Sequence, residues 1–127
     1  MKKYNIIIPE NVYPKPTLKE ISAAYILAEY FKADIKFIPR SNQKTPDLLI
    51  NKIEWELKSP TGAGKRNIQH AISKALKQSR YIIVDARFSK IHITKIKSKL
   101  LSEIKVNYRI RRLILIDKQK NVVEIFR

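Results

Sequence analysis

Short apolar runs alternate with longer stretches of helical periodicity along this chain. Tyr4 to Ile8, Asp34 to Ile38, Leu48 to Ile50, Ile53 to Leu57, Tyr81 to Asp85, Arg111 to Ile116 and Val122 to Phe126 read as strands. Thr17-x-x-Glu20 is a capping-box pattern, and Ile21, Ala24 or Tyr25, Leu27 or Phe31 and Ala28 carry a helix to about Lys32. A second helix is predicted from about Lys65 to Ser79. Its apolar side holds Ile68, Ala71, Ile72, Ala75 and Leu76, and its polar side Arg66, His70, Ser73 and Lys77. A third, lysine-rich helix runs from Ser89 to about Tyr108 on Ile93, Ile96, Leu100, Leu101 and Ile104. Tyr81 to Asp85 is continuously apolar, as befits a central strand covered on both faces, and is expected beside the strand holding Glu56. The pattern predicts an α/β fold in which a central mixed β-sheet is flanked by α-helices. It is one domain over 1–127: an extended arm over 1–16, interrupted by Pro9, Pro14 and Pro16, a core over 17–116, and a final hairpin strand over 117–127.

The chemistry concentrates in one hairpin. Asn51-Lys52 separates two strand-like runs, so a two-residue loop sets Ile50 opposite Ile53, Leu49 opposite Glu54, Leu48 opposite Trp55 and Asp47 opposite Glu56. Opposed carboxylates repel, and a bound cation compensates them. Asp47 and Glu56 are hard oxygen ligands of the kind Mg²⁺ (or Mn²⁺) accepts while keeping waters and substrate phosphate in its other positions. Alternation along the strand puts Glu54, Glu56 and Lys58 on one face and Ile53, Trp55 and Leu57 on the core face. Lys58 then projects beside the ion, where an ammonium can hold the attacking water or steady charge on the scissile phosphate. Charged residues make up 30% of the chain, so Glu-x-Lys alone is a frequent accident of solvated strands; its pairing with Pro46-Asp47 across a hairpin gives it weight.

These residues resemble the PD-(D/E)XK nucleases, whose shared core runs α-β-β-β-α-β. More narrowly, Asp47 to Pro60 with its Trp-Glu-Leu-Lys-Ser-Pro string, the basic helix Lys74 to Ser79 and Ile82 to Asp85 are similar to the C-terminal tRNase toxin domain of CdiA-type contact-dependent growth inhibition proteins, over about residues 17–116. The resemblance implies a restriction-endonuclease-like core, a metal-dependent endonuclease acting on tRNA, and an acidic immunity protein as partner. It implies a metal-side role for Glu20 on the first helix, the same residue the capping box accounts for structurally. Unlike those toxins, the chain is expected to start at Met1 without a delivery region.

Charge extends the picture. Lys plus Arg number 27 against 11 acidic residues, a net charge of +16, the electrostatic footprint of a polyanion such as nucleic acid. Arg40 and Lys44 in the loop before Asp47, and Arg66, Asn67 and Lys74 near the second helix, are the expected substrate-binding residues, with solvated surface as the competing account. Phosphate contacts carry no sequence information, so DNA stays open beside tRNA, as does a non-catalytic basic nucleic-acid-binding module or a DNA-directed nuclease of a mobile element. The absence of cysteine excludes disulfides, zinc-thiolate sites and Cys nucleophiles. His70 and His92 read as surface or packing residues, and Ser59 to Lys65 lacks the full phosphate-loop pattern. With no long apolar run and too short a leading segment for a signal peptide, the chain is expected in the cytoplasm of its producer or of a target cell, without membrane insertion.

Overall fold

A computed structural model of the chain describes residues 3–40 and 45–127. Its elements run β1 (Ile6–Ile7), α1 (Leu18–Phe31), β2 (Ile35–Phe37), β3 (Leu48–Ile50), β4 (Ile53–Lys58), α2 (Asn67–Ala75), β5 (Tyr81–Asp85), α3 (Ile93–Val106), β6 (Arg112–Ile116) and β7 (Val122–Ile125). The strands form one mixed seven-stranded sheet in sequence order. β1 and β2 pair parallel, as do β4 with β5 and β5 with β6; the other neighbours are antiparallel. β1, β2, β4, β5 and β6 therefore point the same way, and their carboxyl ends share one edge of the sheet. The α/β class with a mixed sheet and the expected place of Tyr81–Asp85 beside the Glu56 strand are both observed.

Local chemistry explains the element ends. Thr17 caps α1 with the full reciprocal pair: its hydroxyl accepts the Glu20 amide at 3.1 Å, and Glu20 Oε1 accepts the Thr17 amide at 2.9 Å. Lys32 ends the helix at φ 52°. Asn51 and Lys52 both take positive φ, 50° and 68°, the signature of a primed two-residue turn. That turn fixes Leu48 opposite Trp55, Leu49 opposite Glu54 and Ile50 opposite Ile53, the register expected from counting.

Two helices are shorter than their periodicity suggests. α2 stops at Ala75 and the chain turns away through Ser79, whose hydroxyl donates to the Glu54 carbonyl and accepts the Tyr81 amide, steering the chain into β5. α3 starts only at Ile93. Ser89 accepts the Ile91 amide and His92 Nδ1 accepts the Thr94 amide, so side chains hold a loop where apolar spacing alone would continue a helix.

The sheet has a core on each face. Ala23, Ala24, Leu27 and Ala28 of α1 pack on Ile35, Leu48, Trp55, Leu57, Ile83, Ile114 and Ile116. Ile68 and Ile72 of α2, with Ile96, Leu100 and Ile104 of α3, pack on Ile82, Val84, Leu113 and Leu115. The central strands are covered on both sides, as the apolar run of β5 predicts. Tyr25 and Leu101, counted among the apolar positions of their helices, point outward at 59% and 39% exposure. Among the described residues no helix is long and apolar enough to cross a membrane.

Candidate functional site

Parallel pairing places Glu56 beside Ile82 and Lys58 beside Val84, so the face holding Glu56 and Lys58 is the one α2 and α3 cover. Glu56 is consequently buried, 5% exposed, instead of lying on the open face that strand alternation suggests. Its Oε2 is 3.3 Å from Lys58 Nζ, and its Oε1 is buried with no hydrogen-bond partner among the described residues. Burial first, then the neighbouring Asp47 charge, pushes the Glu56 carboxyl up to about 8, against a smaller pull downward from Lys58.

Asp47 is held at the start of β3 by both backbone and side chain. Its amide donates to the Trp55 carbonyl at 3.1 Å and its carbonyl accepts the Ile38 amide at 2.9 Å. Its Oδ2 accepts the Leu57 amide at 2.9 Å, while Oδ1 meets Arg40 at 3.4 Å. The hairpin and β2 thus bring Asp47, Glu56, Lys58 and Arg40 to the carboxyl edge of the sheet. Open α/β sheets bind ligands at that edge.

Two cavities open there. One of about 140 Å³ is lined by Glu20, Arg40, Asp47 and Lys15, among others. It brings Glu20 to the same space as Asp47, although Glu20 Oε1 is engaged in the helix cap. The other, about 310 Å³, is lined by Lys58, Ser59, Asn67, His70 and Lys74, with Pro60 and Ala71. Asn67 and Lys74 therefore join Lys58. Gly62 lies close to the Asn67 side chain: a Cβ there would stand 2.7 Å from Asn67 Nδ2. Arg66 sits exposed at the start of α2 and makes no side-chain cap, lining neither cavity. Lys44 lies outside the described residues.

His70, a surface or packing residue by sequence, is exposed as expected and also lines the cavity that Lys58 lines, one turn after Asn67 on α2. Among the described residues no cluster of three or more His, Cys, Asp or Glu is arranged to hold a metal ion. The carboxylates that could serve as donors are the Asp47 and Glu56 pair. Its unpartnered buried oxygen and raised carboxyl fit a cation that takes few protein ligands and keeps its own waters.

Comparisons with known proteins agree with the fold. The CdiA-CT/CdiI toxin and immunity complex from Burkholderia pseudomallei is similar over 97% of this chain and 99% of that chain, with a TM-score of 0.69 and 24% identity. No curated protein matches the chain. The family model for the contact-dependent growth inhibition CdiA C-terminal domain matches residues 44–122, more than half of the chain and the whole of β3–β6, with Asp47, Glu56 and Lys58 inside it. The chain therefore belongs to the CdiA C-terminal domain family.

Proposed function

We propose that this chain is a toxin nuclease of PD-(D/E)XK type that hydrolyses phosphodiester bonds in nucleic acid, with tRNA favoured over DNA. One observation carries the reading: a buried carboxyl, Glu56, with an unpartnered oxygen, faces Asp47 and lies 3.3 Å from the Lys58 ammonium. A buried carboxyl with that surrounding is costly unless a cation or a proton neutralises it. Asp47 and Glu56 would hold Mg²⁺ (or Mn²⁺), with Glu20 entering from α1. The ion, when bound, polarises a phosphoryl oxygen and lowers the pKa of its water. Lys58 orients the attacking water and neutralises charge that builds on the phosphate. Asn67 and Lys74 hold the backbone beside Lys58, and Arg40 and Arg66 add positive charge at the rim; Lys44, outside the described residues, stays a substrate-binding candidate by sequence alone. The complex of the similar toxin domain with an immunity protein supports an immunity protein as partner here, and an acidic one would complement the chain's net charge of +16. The site of action is the cytoplasm of a target cell or of the producer.

The test is incubation of purified protein with labelled tRNA and labelled DNA duplex, in Mg²⁺ or EDTA, beside Glu56→Gln and Lys58→Ala. Mg²⁺-dependent cutting lost in both variants is expected. Salt-sensitive binding without cutting by the wild-type protein overturns the nuclease reading and leaves a basic binding module.

A further inference from the structure

Away from the Asp47–Glu56 site, a groove of about 490 Å³ lies between the β4–α2 loop and the start of α3. Gly64 and Lys65 form one wall, Lys90 and His92 the turn after β5, and Lys95 and Lys99 the helix wall. No acidic residue lines it. Among the described residues none of its four lysines is in an ion pair; the carboxylates in such pairs belong to Asp47, Glu56, Asp85 and Glu124. Four ammonium groups facing one cavity repel each other and raise its potential, which a polyanion offsets. The start of α3 adds the positive end of a helix dipole.

The groove is held open by fixed backbone. Ser89 and Ile91 are buried, Ser89 Oγ accepts the Ile91 amide at 3.1 Å, and Lys118 Nζ donates to the Ile91 carbonyl at 2.8 Å. Lys90 therefore projects from an anchored turn. Lys95 and Lys99 lie four residues apart on α3, a rise of about 6 Å, and so reach successive points along an extended backbone.

Its position links it to the site. β4 and β5 are parallel neighbours, so the loops leaving Lys58 and Asp85 emerge at the same edge, and those loops form two of the groove's walls. Lys65 lies seven positions after Lys58, a contour of at most about 25 Å.

We infer that this groove is a second phosphate-binding subsite, in which Lys65, Lys90, Lys95 and Lys99 hold the backbone of a nucleic-acid strand beyond the segment lying over Glu56 and Lys58. The inference rests on the nuclease reading for its direction, since the strand runs from that site. An acidic protein is the competing occupant. The continuity of the groove with the carboxyl edge, and its concave form walled by flexible lysines, favour a strand threading past Lys58.

The test is equilibrium binding of labelled tRNA in EDTA across a salt series. Wild type is compared with the Lys95→Gln/Lys99→Gln pair and with Lys36→Gln/Lys105→Gln, two exposed lysines away from the groove. Loss of two phosphate contacts flattens the slope of log affinity against log salt by about 1.4 to 1.8, and the control pair leaves the slope as in wild type. Equal slopes for wild type and the groove pair overturn the proposal. So does an equal flattening by the control pair, which makes binding diffuse. Polyglutamate capture weakened by the groove substitutions, with the tRNA slope unchanged, assigns the groove to an acidic protein and overturns it as well. Cleavage of tRNA and of DNA in Mg²⁺ is scored on the same wild-type preparation. Flattening without cleavage upholds the groove and sinks the nuclease reading; cleavage without flattening sinks the groove alone.

Discussion

Glu56→Gln should make the metal-free protein more stable at neutral and alkaline pH. The folded chain holds the Glu56 proton to about pH 8, whereas the unfolded carboxyl releases it near 4.5. Between those values the unfolded state has lost a proton that the native state keeps, so native stability falls as pH rises through the window and is flat on either side. The full shift corresponds to at most about 5 kcal/mol, of which about 3 kcal/mol is already lost at pH 7. Glutamine keeps the shape, carries no charge and has no such slope. The stability difference between variant and wild type should therefore grow by about 3 to 4 kcal/mol from pH 5 to pH 9, in favour of the variant.

The chain carries its own reporter. Trp55 is the one tryptophan, it is fully buried, and it precedes Glu56 on β4. Urea unfolding in EDTA, followed by its fluorescence at several pH values, gives both curves, and the common titration of all other groups cancels in their difference. A difference that stays constant with pH refutes the buried-carboxyl argument. A variant less stable than wild type at pH 8 refutes its sign.

Three further outcomes follow from the same geometry. Lys58→Met removes the charge that holds the Glu56 carboxyl down, so the Glu56 titration should move above 8, read as a shifted pH window in the same unfolding assay, and cleavage of tRNA in Mg²⁺ should fall by about 10² to 10³. Mg²⁺ at a hundred times its dissociation constant should stabilise wild type by about 2.7 kcal/mol at pH 8 and leave Asp47→Asn/Glu56→Gln unchanged in thermal unfolding. Arg87→Met should cost roughly 3 to 5 kcal/mol by chemical denaturation, because it strands the fully buried Asp85 that Arg87 now meets at 2.8 Å, and Asp85→Asn in the same chain should recover most of the loss.

What the sequence made legible has local causes. The Thr17–Glu20 capping box, the two-residue Asn51-Lys52 turn and the unbroken apolar run of β5 each state their structure within a few residues, and register follows from the turn by counting. α2 and α3 are shorter than their apolar spacing predicts because their ends are set by Ser79, Ser89 and His92 side chains bonding to backbone. Periodicity carries no record of such bonds.

The site divides along the same line. That Asp47 and Glu56 meet is a consequence of hairpin register, so it could be read in advance. That Glu56 is buried could not, because its cover comes from α2 and α3, which pack on that face of the sheet through tertiary contacts that β4 alone does not encode. Alternation in a single strand marks Glu56 as polar-facing; the parallel neighbours Ile82 and Val84 turn that face into a second core. Burial raises the carboxyl, so the feature that would tune this site for a cation arises from tertiary packing and not from the motif. The lysines of the groove follow the same logic. Residues 65, 90, 95 and 99 look like solvated charge when read in order, and they become one surface only because the loops after β4 and β5 leave the sheet at a common edge. Substitutions in the hairpin should accordingly act on metal and chemistry, and substitutions in the groove on the reach and salt dependence of binding.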